Sequence, residues 1–134
     1  MEEVVRRAVQ GPRPVAGTWF NAAVTGALTT HVLDVARGRP ARGVGIELWR
    51  EEVRIAEAVT GEDGRTAAPL LAALEVGVYE LRFAVGAYFA ADGEATGPPF
   101  LDVVPVRFGV ADAEAHHHVP LLVTPWSYST YRGS

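Results

Sequence analysis

The stretch GVYELRFAV, residues 77–85, alternates strictly: Tyr79, Leu81 and Phe83 fall on one side, Glu80 and Arg82 on the other. Successive side chains of a strand point to opposite faces, so this is a strand with one face in a core and the other in water. GVGIELWREEV, residues 43–53, has the same pattern, with Val44, Ile46 and Leu48 opposed to Glu47 and Trp49. Between the two lies GEDGR, residues 61–65, a turn, and then TAAPLLAALEV, residues 66–76. In that last segment the alanines favour helix, while Pro69 and the short length oppose it.

Outward from there the runs stay short. LTTHVLDVA, residues 28–36, reads as a strand, and GAYFAADGE, residues 86–94, as one short helix. VVPVRFGV, residues 103–110, alternates around Pro105, whose missing N–H suits an edge strand. HHHVPLLV and SYSTYR, residues 116–123 and 127–132, form a hairpin-like pair around Thr124 and Pro125. Seven or eight short strands with closely spaced turn signals predict an all-β, two-sheet sandwich. The first 26 residues differ: EEVVRRAV suits two turns of helix, ended by Gly11, Pro12 and Pro14. They are expected to form an N-terminal extension, 1–26, ahead of a single domain, 27–134.

With 134 residues, one core is what the chain has room for. Its 49% hydrophobic content suits a folded protein, and a net charge of -4 with no lysine leaves no basic stripe for phosphate backbones, so nucleic acid is not an expected partner. The absence of cysteine excludes disulfides and thiolate chemistry. No stretch approaches the roughly 20 apolar residues of a membrane span, and the acidic start, broken by GPRP, does not read as a secretory signal. A cytoplasmic protein with no membrane partner is expected.

Three of the four histidines, His116, His117 and His118, stand together, and the fourth, His31, lies in another strand-like run. Strand alternation would put His116 and His118 on one face and His117 on the other. Three readings are open: surface histidines at a strand start, a chelate of His116 and His118 with Asp112 or Glu114 and His31, or acid–base catalysis by imidazoles that titrate near neutrality. Neither a GxSxG elbow nor a phosphate-binding glycine loop is present, and Ser127, Ser129 and Ser134 have no triad spacing, so water is the nucleophile to expect in an enzyme.

The segments LTTHVLDVARGRPARGV, GEDGRT, GVYELRFAVGAYF, FLDVVPVRF and HHHVPLLVTPWSYSTYRGS occur in the order and spacing of the transthyretin-related proteins. The terminal YRGS, the histidine after LTT, the arginine after DG and the histidine before VPLL resemble the 5-hydroxyisourate hydrolases of that family. The resemblance implies a transthyretin-like sandwich of about eight strands with one short helix, assembled as a homotetramer, a dimer of dimers, around a central channel that holds the active site. It implies hydrolysis of 5-hydroxyisourate to 2-oxo-4-hydroxy-4-carboxy-5-ureidoimidazoline in urate degradation. With no cysteine and no strong ligand spacing, no metal or cofactor is expected. His31, Arg65, His118 and Ser134 would be catalytic, Tyr131 and Arg132 would help bind substrate, and His116 would be a weaker member. The chain end would tuck into the channel beside them. His117 stands where the family commonly has tyrosine, a change expected to touch packing more than chemistry. The competing readings are a transthyretin-like carrier that binds a small ligand without turning it over, and a purely structural sandwich. By itself, Arg65 after Gly64 would read as a solvated turn residue.

Overall fold

The alternating stretches fold as two stacked sheets in a computed structural model, which describes residues 26–91, 93 and 96–133. In chain order the elements are β1 (Leu28–Asp34), β2 (Arg39–Pro40), β3 (Gly45–Arg50), β4 (Val53–Val59), β5 (Gly77–Ala84), α1 (Val85–Ala90), β6 (Val103–Val110), β7 (His117–Val123) and β8 (Tyr128–Thr130). One sheet runs β2-β1-β7-β8, the other β4-β3-β5-β6. The eight strands and single helix among the described residues are the architecture expected. The expected N-terminal extension, 1–26, with the helix read in EEVVRRAV, lies outside the described residues, apart from Gly26.

The inner faces carry the residues that alternation selected. Ile46, Leu48, Tyr79, Leu81 and Phe83 of one sheet meet Leu28, Val32, Val119, Leu121 and Val123 of the other, every one of them buried. Losing a buried leucine such as Leu81 to alanine costs about 2–5 kcal/mol through lost transfer energy and the cavity left behind. The outer face of the second sheet is polar, with Arg82 stacked 4.0 Å over Trp49 and hydrogen-bonded to Glu80. Pro105 lies on β6, which among the described residues pairs with β5 alone, an edge position that suits its missing donor.

Three local readings change. The strand read through residue 53 stops at Arg50, because Glu51 and Glu52 both take positive φ, 53° and 68°, and turn the chain into β4. No glycine or asparagine marks that hairpin, and the pairing of β3 with β4 holds two non-glycine residues in the left-handed region. Residues 66–76 form neither helix nor strand; Leu70, Leu71 and Leu74 are buried, and Leu71 makes a single antiparallel bridge to Leu28. Proximity to the end of the sandwich, rather than any period of their own, buries these leucines. β8 spans Tyr128–Thr130, shorter than SYSTYR suggested, as Thr124 caps the preceding turn by accepting the N–H groups of Trp126 and Ser127.

The pairing that matters most is parallel. β1 lies beside β7 with Thr29 opposite His118 and His31 opposite Pro120. Asp34, at the end of β1, is fully buried and ties the following turn to the helix, accepting hydrogen bonds from the Arg37 N–H and guanidinium and from the Tyr88 hydroxyl. Burial alone would raise its pKa, but the donors from Tyr88 and Arg37 outweigh that and hold the carboxyl below its ordinary value.

Candidate active site

The parallel register decides which side chains share a face. On β1 the even positions Leu28, Thr30, Val32 and Asp34 are buried, leaving Thr29, His31 and Leu33 on the outer face. On β7 the alternation puts His117, 4% exposed, inside and His118, half-buried, outside on the face of Thr29. His117 thus faces away from His118, with its Nδ1 2.9 Å from the Ala115 carbonyl.

Arg65 reaches the same face by way of the GEDGR turn. The Gly61 N–H donates to the Arg65 carbonyl at 2.8 Å, the Val32 N–H donates to the Gly64 carbonyl at 2.8 Å, and His31 and Arg65 form a single antiparallel bridge. Gly64 has φ +78°, and a Cβ there would stand 2.4 Å from the Val32 carbonyl oxygen. Only glycine lets the turn press this close to β1. The turn also supplies the Asp63 carbonyl, which accepts a hydrogen bond from His31 Nε2 at 2.8 Å. A carbonyl can only accept, so Nε2 carries the proton and is committed to the turn.

His118 is held differently. Its Nδ1 lies 2.8 Å from the Thr29 hydroxyl, and the Gly133 N–H donates to the His118 carbonyl at 2.7 Å. Burial pushes its pKa below the ordinary 6.5, and the positive charges of Arg65 and His31 push it the same way, against a hydrogen bond to the Thr29 backbone that raises it. His118 is therefore a neutral imidazole near pH 7, beside a cation and a second imidazole. Such a group accepts a proton, while the neighbouring guanidinium stabilises negative charge.

The remaining candidates lie around this group. His116 precedes the strand instead of pairing with His118 on it, and its Nδ1 accepts the Ala27 N–H at 3.1 Å, a structural task. Arg132 donates to the His116 carbonyl at 3.1 Å, and Tyr131 is 58% exposed just past β8. Ser134 lies outside the described residues. Asp112, a possible ligand in the chelate reading, instead accepts the Glu114 N–H across its own turn, and among the described residues no three His, Cys, Asp or Glu converge to hold a metal. Two clefts of the single chain lie elsewhere, one of about 720 Å³ beside Arg39 and Tyr88, another of about 800 Å³ walled by Phe89, Phe100 and Trp126. Sequence reasoning missed Thr29, Asp63 and Gly133; alternation put Thr29 on the face of His31, and that was the one signal available.

Residues 28–133 match the model of the HIUase/Transthyretin family. The chain belongs to that family. It is 57% identical to a 5-hydroxyisourate hydrolase of Deinococcus radiodurans, over 80% of this chain and 95% of that protein. Among solved structures, Klebsiella pneumoniae 5-hydroxyisourate hydrolase superposes with a TM-score of 0.72 at 38% identity, covering 81% of this chain and 99% of that one. An (S)-allantoin synthase superposes with a TM-score of 0.76 at 46% identity, covering 83% of this chain. The chain spans 44% of the length of that synthase. The transthyretin-like sandwich expected from the sequence is thus the fold of the family to which the chain belongs.

Proposed function

We infer that this chain is an enzyme that hydrolyses 5-hydroxyisourate to 2-oxo-4-hydroxy-4-carboxy-5-ureidoimidazoline in the degradation of urate. Membership of the family and the high identity to hydrolases of that name support the reaction. The observation that carries the chemistry is the neutral His118, flanked by Arg65 and His31 on one face. His118 Nε2 takes a proton from water, whose oxygen attacks an amide-like carbonyl carbon of the six-membered ring. Arg65 holds the oxyanion that forms, with a planar fork of donors suited to it. The carbon–nitrogen bond then breaks, and the protonated His118 returns its proton to the leaving nitrogen. His31, with Nε2 committed to Asp63, turns Nδ1 to the water or substrate. Ser134 and Tyr131 complete the proposed group, and Arg132, with one donor on His116, keeps others for substrate.

The working form in this proposal is a homotetramer whose central channel is walled by this face. Support comes from the openness of the face in one chain: His31 and His118 are half-buried and Arg65 is exposed, while catalysis of this kind gains from excluding water. A cytoplasmic location is part of the same proposal. No helix among the described residues is long and apolar enough to cross a membrane.

The test follows the absorbance of freshly generated 5-hydroxyisourate. Accelerated decay, lost in His118→Ala with the fold retained, is the expected result. Saturable binding of small ligands without acceleration would instead establish the carrier reading.

A further inference from the structure

We propose that Thr29 and Gly133 are positioning residues for His118, gripping its ring from two sides so that Nε2 is the nitrogen turned to the reaction. Two contacts, independent of each other, carry this. On one side Thr29, directly opposite in the parallel register, brings its hydroxyl to 2.8 Å from Nδ1. In this proposal the hydroxyl oxygen accepts from the ring, which keeps the proton on Nδ1. With Nδ1 protonated, neutral His118 has its lone pair on Nε2. On the other side the chain returns past β8, and Gly133 closes an antiparallel bridge with His118. A Cβ at Gly133 would lie 2.7 Å from His118 Cδ2 and 3.4 Å from Cγ, so the bare backbone of the tail is the second jaw against the ring.

The ring is therefore fixed in both rotation and tautomer by residues that need not touch substrate. In water a free imidazole prefers its proton on Nε2, which is the wrong nitrogen for a base that must use Nε2. In this proposal the hydroxyl of Thr29 reverses that preference, and Gly133 stops the ring from swinging away from it. The glycine of the terminal YRGS is thereby explained by space, since every other residue would push the imidazole out of place.

This inference rests on the reading of His118 as the base, and its test keeps the two apart by observing the ring directly. Nitrogen-15 NMR of the histidine-labelled protein reports which nitrogen of His118 is protonated, whether or not the protein turns over. The expected results are an Nδ1–H tautomer in the parent protein and a growing Nε2–H share in Thr29→Val, which keeps the shape and removes the hydroxyl. With it kcat should fall about 10-fold while KM changes little, and Thr29→Ser should restore both tautomer and rate. Gly133→Ala should lower kcat about 100-fold and shift the His118 ring signals, with an unchanged melting temperature. An Nε2–H tautomer in the parent protein, or Thr29→Val with parental tautomer and kcat, would overturn the role of Thr29; Gly133→Ala with unmoved ring signals would overturn that of Gly133. Should the tautomers behave as expected in a protein without hydrolase activity, the grip stands and the reading of the reaction falls.

Discussion

His117 and His118 are adjacent in the chain, yet one is 4% exposed against the core and the other half-buried on the outer face with Thr29. We expect His31→Ala and His118→Ala each to lower kcat/KM by roughly 100-fold or more, the usual worth of a positioned proton-transfer group. His117→Ala should leave kcat within about threefold and cost about 1–2 kcal/mol in a denaturant melt, through its lost hydrogen bond and packing. The pH profile gives a second check. The base must be unprotonated to act, and burial, Arg65 and His31 all lower the pKa of His118, so the acid limb of kcat/KM should fall below pH 6.5. Arg65→Gln removes one of those positive charges and should move the limb back up, besides lowering kcat about 100-fold or more through loss of the oxyanion partner. A limb that stays in place would show that the Arg65 charge does not reach the base.

At the scale of elements, the turn at residues 61–65 does two tasks at once, presenting Arg65 and lending the Asp63 carbonyl to His31. Both depend on Gly64 lying flat against β1. Gly64→Ala combines a φ of +78° with a Cβ 2.4 Å from the Val32 carbonyl, so the turn must lift. We expect kcat/KM to drop at least 10-fold while the far β3–β5 pairing keeps its amide exchange protection, as hydrogen exchange would show. The GEDGR pattern announced a turn, but nothing in it announced what the turn would lie against. The opposite failure occurs at Glu51 and Glu52, where a charged pair with no turn-forming residue makes a hairpin because the strands on either side gain more from pairing than the positive φ angles cost.

For the whole molecule, the proposal that the open face of the imidazoles walls the channel of a homotetramer makes assembly the point to test. Specific activity should fall on dilution in step with the tetramer fraction, which sedimentation measures on the same samples. Full activity in a monomer would refute the tetrameric channel.

Alternation is a property of the covalent chain, since each strand residue points opposite its neighbours. The core faces of β3 and β5 and the opposition of His117 to His118 were therefore legible in the letters alone. His31, Arg65 and His118 could be named as a group from their family motifs, but not from any spacing between them. Which strand lies beside which is decided by long-range packing. Thr29 and His118 are 89 positions apart and meet because β1 and β7 pair in parallel. The contact of Thr29 with the His118 ring comes from that pairing, while Arg65 arrives by the GEDGR turn and Gly133 by the tail after β8. The sequence by itself determined the strands and their faces; only the tertiary structure decided which side chains meet around the imidazoles, because those contacts are made across the fold.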